Sequence, residues 1–255
     1  MRKIHLMAIC GMAMGSLAGM LKAKGYDVRG SDEHVYPPMS EQLAELGIPY
    51  FEGFDGANLG WNPDMVVVGN VITRVNPEAV ALRERGLQYT SLPKLLAELF
   101  IRDRHSVVVT GTHGKTTTSG ILAWTLEQSG RDPGFLVGGV LHNFNSTYGV
   151  GEGDFFVLEG DEYDTAYFDK VPKFVHYRPK TGMMTSIEYD HADIYEDLDR
   201  IKREFTKFVE LIPADGLLVA CIDDPNVKEV IASSQSPLQT YGYSIDAEWR
   251  VGNIS

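Results

Sequence analysis

A chain of 255 residues, 44% hydrophobic and 23% charged, is long enough for one large domain or two ordinary ones and has the balance of a soluble globular protein, which argues against disorder. With 35 acidic against 23 basic side chains the formal charge is -12, which opposes nonspecific association with nucleic acid or an anionic membrane. Any anionic ligand must be held by local devices: a helix N-terminus, a lysine or a metal ion.

Arg2 and Lys3 followed by apolar residues 4–21 resemble the opening of a secretory signal, but three glycines and His5 interrupt the run. A strand, turn and helix over 4–25 account for it better. No other run is long enough to span a membrane. The two cysteines, Cys10 and Cys221, lie in apolar strand-like runs and read as buried reduced thiols of a cytosolic protein.

In chain order, residues 4–10 alternate into a strand that meets Gly11, Met12, Ala13, Met14 and Gly15 in a turn, with a helix expected over 16–24. A second strand over 26–32 ends in Ser31 and Asp32, about twenty positions beyond the first glycine loop, which is Rossmann-like spacing. The glycine fingerprint is absent, because Ala8, Cys10 and Ala13 stand where its glycines would fall. A nicotinamide dinucleotide is therefore less favoured than another diphosphate ligand, and small residues at a first turn also occur in doubly wound folds that bind nothing there. A helix over 39–46, a buried strand over 65–68 and helices over 77–85 and 92–100 complete an α/β domain, whose boundary is expected near Asp103.

Beyond it, Val107, Val108 and Val109 make a buried strand running into Thr110, Gly111, Thr112, His113, Gly114, Lys115, Thr116, Thr117 and Thr118, with a helical apolar run from Ile121. Strand, glycine loop and helix follow in the order a polyphosphate site requires. Backbone N–H groups at the helix start, a lysine for the terminal phosphates and a hydroxyl for Mg2+ are supplied by Gly114, Lys115 and Thr116. The spelling is shorter than the common phosphate loop, whose first glycine would fall on Val109.

Strands are expected over 134–140 and 154–158, the latter ending in Glu159, Gly160, Asp161, Glu162, Tyr163 and Asp164. Another over 182–187 ends in Glu188, Tyr189, Asp190, His191, Ala192 and Asp193. Carboxylates at the C-terminal ends of parallel strands face the ligand crevice. Near a phosphate loop they suggest a metal, although Mg2+ prefers oxygen, which makes His191 the less expected ligand. A helix over 198–212 carries Ile201, Phe205, Phe208 and Val209 on one face, and strand, helix and strand follow over 217–222, 226–232 and 238–243. Residues 248–255 alternate like a strand without a terminating signal, so the chain reads as cut within its second domain; there is no internal repeat and no low-complexity segment.

Three motifs in order, G-T-H-G-K-T-T-T, L-E-G-D-E-Y-D and S-I-E-Y-D-H-A-D-I-Y, resemble the Mur ligases, ATP-dependent enzymes that form amide bonds in peptidoglycan synthesis. The first domain, with A-I-C-G-M-A-M-G-S-L-A-G and G-S-D, is similar to their UDP-sugar-binding domain. The resemblance implies a Rossmann-like α/β domain over 1–103 and an incomplete phosphate-loop α/β domain over 104–255, in a cytoplasmic enzyme whose third domain is missing and whose ligation is accordingly poor. Residues 35–40, 161–170 and 173–177 are similar to the branch that takes a murein tripeptide in cell-wall recycling; the alternatives are the branch that takes L-alanine and a nucleotide-sugar-binding module without catalysis. Relative to the alanine branch the resemblance implies an insertion of about seven residues around Asp169 to Val175, a loop expected to make room for the tripeptide.

Carried over by position, the resemblance implies that Gly111, Thr112, His113, Gly114, Lys115, Thr116 and Thr117 wrap the ATP phosphates and that Lys115 neutralises the transferring phosphoryl. Thr116, Glu159 and His191 are implied at Mg2+, with Lys115, Glu159 and His191 as the catalytic set. Gly11, Met12, Ala13, Met14 and Gly15 would meet the diphosphate of UDP-N-acetylmuramate, with Ser31 and Asp32 near its uridine end. Ser186 departs from the family's usual asparagine. Neither a membrane nor nucleic acid is an expected partner. A phosphate-loop kinase or motor would not explain the first domain, and a folate polyglutamate ligase would open directly on the phosphate loop.

Overall fold

The computed structural model describes residues 2–189 and 197–252. The chain divides into two compact units: Met1–Phe100 with Gly138–Val150 and Tyr163–Val171, and Ile101–Val137 with Gly151–Glu162 and Pro172–Ser255.

In the first unit β1 (Lys3–Met7), α1 (Met12–Ala23), β2 (Asp27–Asp32), α2 (Met39–Glu45), β3 (Tyr50–Glu52), β4 (Met65–Val68), α3 (Pro77–Glu84), β5 (Tyr89–Ser91) and α4 (Leu92–Leu96) alternate. They build a parallel sheet in the order β3-β2-β1-β4-β5. Central β1 buries Ile4, Leu6 and Met7, the uninterrupted burial of a strand covered on both faces. The expected alternation of strand and helix is borne out. The three-residue strands β3 and β5 went unread because so short an edge segment carries no period. Helix α1 starts at Met12 and not at Ser16, so the expected turn is its first turn. Within that turn a Cβ on Gly15 would displace the tip of the Met39 side chain.

Two segments distant in sequence complete this unit. Thr147 Oγ1 meets Ser16 Oγ at 2.6 Å, and the Tyr148 ring lies where a Cβ on Gly19 would sit. Tyr167 and Phe168 pack against the cluster of Met7, Leu59, Val66 and Leu82. Arg83 donates to Tyr167 Oη at 3.2 Å, and Lys94 pairs with Asp169 at 2.8 Å. Of the stretch expected to be inserted, Asp169–Pro172 form a strand and Lys173–His176 a short 3-10 helix.

A chain of polar groups runs through the same core. Trp61 Nε1 donates to His5 Nδ1 (3.3 Å); an indole can only donate, so the proton of this imidazole sits on Nε2, 3.3 Å from Ser31 Oγ. Ser31 donates in turn to Glu78 Oε2 at 2.6 Å, and Asn58 Nδ2 donates to Glu78 Oε1 at 2.6 Å. His5, Ser31 and Glu78 are all 0% exposed. A buried carboxylate is tolerated only when hydrogen-bonded in this way.

The second unit contains β6 (His105–Thr110), α5 (Lys115–Gln128), β7 (Gly134–Leu141), β8 (Ser146–Gly149), β9 (Phe155–Glu159), β10 (Asp164–Ala166), β11 (Asp169–Pro172), β12 (Thr181–Met184), α6 (Leu198–Leu211), β13 (Leu217–Cys221), α7 (Pro225–Ile231), β14 (Leu238–Gly242) and β15 (Trp249–Arg250), of which the end of β7 and all of β8, β10 and most of β11 belong to the first unit. The sheet order is β15-β14-β13-β12-β6-β9-β7-β8, parallel from β15 to β7. Helix α6 buries Ile201, Phe205, Phe208 and Val209, the face the sequence marks, and is capped by Asp197, which accepts from the Arg200 amide at 2.7 Å. Strand β12 stops three residues short of expectation because the following residues turn aside to bond the phosphate loop. Among the described residues of the alternating tail, Trp249 and Arg250 form β15. Among the described residues no helix is long and apolar enough to cross a membrane.

Replacing Glu78 with Ala strands the Ser31 hydroxyl, the Asn58 amide and the His5 ring together. Urea unfolding is expected to show a loss of about 3 kcal/mol, at the scale of breaking a buried polar pair; a loss within about 0.5 kcal/mol, the scale of an ordinary surface substitution, would contradict the network's role.

Candidate functional site

In the second unit, buried β6 delivers the chain to Gly111 (φ 129°) and Gly114 (φ 80°), both in backbone conformations that disfavour a side chain. At Gly111 a Cβ would also collide with the Thr185 hydroxyl and the Ser186 backbone. That close wall holds the loop. Thr112 N–H donates to the Ser186 carbonyl (2.8 Å), His113 N–H to Ser186 Oγ (3.1 Å), and Thr185 Oγ1 donates to the His113 carbonyl (2.6 Å). Glu188 N–H reaches Thr112 Oγ1 at 2.9 Å. The wall is itself pinned by α7, whose cap Asp224 accepts from Ile187 N–H at 2.7 Å while Asn226 donates to the Ile187 carbonyl at 2.8 Å.

Helix α5 then begins at Lys115 with Gly114 as a cap that offers no side-chain acceptor. Its first-turn amides, with Lys115, half-buried Thr116 and exposed Thr117, carry the positive end of the helix dipole. An anion is their natural partner.

Strand β9 lies beside β6, with Val109 opposite Glu159. Gly160 N–H donates to the Val109 carbonyl and Thr110 Oγ1 to the Gly160 carbonyl, each at 2.8 Å, which ties the carboxylate-bearing end to the start of the loop. Lys115 Nζ donates to the carbonyls of Gly111 (2.6 Å) and Thr112 (3.3 Å) and stands 3.7 Å from Glu162 Oε2. Asp161 pairs with Lys173 at 3.0 Å. Beneath them Tyr177 is fully buried, and its phenol is pushed far above its ordinary pKa by that burial, then by Asp161 and Glu159.

The hydroxyl of Thr116 and the carboxylate of Glu159 are hard oxygen donors at adjoining ends of α5 and β9. No group of three or more acidic, histidine or cysteine side chains among the described residues forms a ready metal cage. Such a set suits Mg2+, which is held by one or two protein oxygens together with water and substrate phosphates, better than a cation needing a full protein shell. His191 lies outside the described residues.

In the first unit, Gly11, Met12, Ala13, Met14 and Gly15 form the cap and first turn of α1, again without a side-chain cap. The loop before them is held from β2. Ala8 and Ile9 N–H both donate to the Ser31 carbonyl (2.8 and 3.1 Å), which places Ala8 at φ 65° where the missing fingerprint glycine would be at ease. Asp32 accepts from the Cys10 amide (2.8 Å) and the His34 amide (3.0 Å). Its carboxylate shapes the loop, and the Ser31 hydroxyl is turned into the buried network. Burial, then Asp32 and Glu52, push the Cys10 thiol up to about 11.

The contacts of Glu162, Ser186 and Asp224 were not anticipated. Only Asp224 had a legible signal, an acidic cap ahead of a proline at the first helical position.

Two parallel-sheet units, each with a helix N-terminus that lacks a side-chain cap behind a pinned glycine loop, have the arrangement in which α/β folds present anion sites. The model described as "Mur ligase family, catalytic domain" matches residues 3–104 and that described as "Mur ligase middle domain" matches residues 109–255. The chain belongs to the Mur ligase family. It is 47% identical over 255 residues to the UDP-N-acetylmuramate--L-alanyl-gamma-D-glutamyl-meso-2,6-diaminoheptandioate ligase of Haemophilus influenzae, covering 100% of this chain and 56% of that protein. It is 46% identical over 230 residues to the Escherichia coli ligase of the same name, covering 90% of this chain and 50% of that protein. The crystal structure of the corresponding ligase from Neisseria meningitides superposes with a TM-score of 0.90 at 42% identity, covering 95% of this chain and 78% of that one. The chain spans about half the length of the two curated relatives.

Because the thiolate is the reactive form, the raised pKa keeps Cys10 protonated at pH 8 and lowers its reactive fraction about a hundredfold. Peptide mapping after iodoacetamide treatment at pH 8 is expected to find Cys10 unmodified in the folded chain and alkylated in urea. Equal labelling in both states would contradict the buried loop.

Proposed function

We propose that this chain carries the nucleotide-handling machinery of a cytoplasmic ATP-dependent ligase that joins L-alanyl-γ-D-glutamyl-meso-diaminopimelate to UDP-N-acetylmuramate in peptidoglycan recycling. The observation that carries the reading is the uncapped start of α5, with Lys115 and Thr116, beside the end of β9 bearing Glu159. The names of the 46% and 47% identical relatives favour the tripeptide over L-alanine as the incoming amine.

The reaction runs in two displacements. The lactoyl carboxylate of UDP-N-acetylmuramate attacks the γ-phosphorus of ATP, forming a carboxyl O–P bond as the β–γ bridging bond breaks and ADP leaves. The tripeptide amine then forms the C–N bond at the acyl carbon, and inorganic phosphate departs with loss of the amine proton. No protein nucleophile is needed, so positioning and charge neutralisation carry the catalysis. Amides from Gly114 to Thr117 take the phosphate oxygens, and Lys115 neutralises the charge that gathers on the transferring group. Thr116 and Glu159 would hold Mg2+, whose contribution is to offset phosphate charge; His191 is the third ligand implied by the family pattern. In the first unit the amides of residues 11–15 receive the UDP diphosphate, with the loop geometry set by Ser31 and Asp32.

Calorimetric titration tests the first-unit assignment directly. UDP-N-acetylmuramate is expected to bind with one-to-one stoichiometry and NAD to give no heat above dilution. Binding of NAD instead, or of neither ligand to a folded chain, would overturn it.

A further inference from the structure

Glu162 is a buried acidic group beside the phosphate loop with no part in the proposed reaction. Its side chain is 4% exposed, and its Oε2 lies 3.7 Å from the ammonium of Lys115, itself 15% exposed. The same ammonium donates to the carbonyls of Gly111 and Thr112. The lysine is therefore folded back across its own loop, into a nest of oxygen acceptors. Burying a carboxylate is costly unless a cation or hydrogen bonds stand beside it, so Glu162 and Lys115 stabilise one another in this arrangement. The neighbouring acidic residue, Asp161, pairs with Lys173 at 3.0 Å.

We propose that Glu162 is a positioning residue that parks Lys115 in the nucleotide-free state and yields it to the terminal phosphate of ATP. The proposal rests on the reading of residues 111–117 as the ATP phosphate loop. Entry of the γ-phosphate draws the ammonium away from Glu162 and brings a second anion towards a buried carboxylate. Both effects oppose binding, and both act on the terminal phosphate more than on the inner two. Glu162 thus sets a threshold against holding ATP too tightly, and the effect is specific to the triphosphate.

The test is calorimetry of Mg-ATP and Mg-ADP on the full chain and on Glu162→Gln, with thermal unfolding alongside. Removing the charge while keeping the shape is expected to tighten ATP about tenfold and ADP by less than about threefold. Glu162→Asp, which withdraws the carboxylate by one methylene, should fall between the parent and Glu162→Gln. A merely structural role predicts instead that both nucleotides weaken together as the unfolding temperature falls. Unchanged or weaker ATP binding in a folded Glu162→Gln chain would overturn the proposal, as would failure of both variants to fold. Should the unmodified chain bind neither nucleotide, the phosphate-loop reading itself fails, which is a separate and recognisable result.

Discussion

The bonds from Thr112 and His113 to Ser186 are the constraint on which the second unit's chemistry depends. They use two loop amides to fix the loop's shape, so that the amides left at the start of α5 are aimed without further cost. Gly111 is the geometric condition for this, because only a residue lacking Cβ can pass so close to Thr185 and Ser186. Behind the wall stands the Asp224 cap, which serves α7 and Ile187 at once through its two oxygens. Loop, wall and cap come from the C-terminal ends of parallel neighbours in one sheet, the place where such sheets present ligand sites.

The first unit solves the same problem with different residues. A carbonyl and a carboxylate from β2 pin the amides of Ala8, Ile9 and Cys10, and α1 is left with its first turn unencumbered. Here the strain at Ala8 replaces the freedom of a glycine, at an order of 1 kcal/mol. Strand β2 is held by its pairing with β1 and β3 and, at Ser31, by the buried network to His5 and Glu78. The network's proton order runs one way, from indole to imidazole to hydroxyl to carboxylate, and leaves Glu78 satisfied on both oxygens.

Much of this was legible in the sequence, for physical reasons. The β-branched run at Val107 to Val109, the glycines and Lys115 announce strand, loop and helix in sequence-local terms, and the mixed α/β architecture followed. The face of α6 was readable because four apolar residues recur at helical spacing. Edge strands of three residues were not, and neither were the segments 138–150 and 163–171, whose partners lie far away in sequence. Ser186 was noticed only as a departure from the family's asparagine; its use as both acceptor groups for the loop is a consequence of packing. Glu162 sits in an acidic run whose place at a strand end marks it as a whole, and its burial singles it out.

Under the proposed function, the first turn of α5, steadied by Ser186, receives a nucleotide triphosphate beside Glu159. The most direct measurement is a crystal structure of the chain with Mg2+ and a non-hydrolysable ATP analogue. The β- and γ-phosphates are expected on the amides of residues 114–117, with Lys115 extended to the γ-phosphate and the metal between Thr116 and Glu159. Phosphates bound elsewhere, with Lys115 still folded onto the Gly111 carbonyl, would contradict that function.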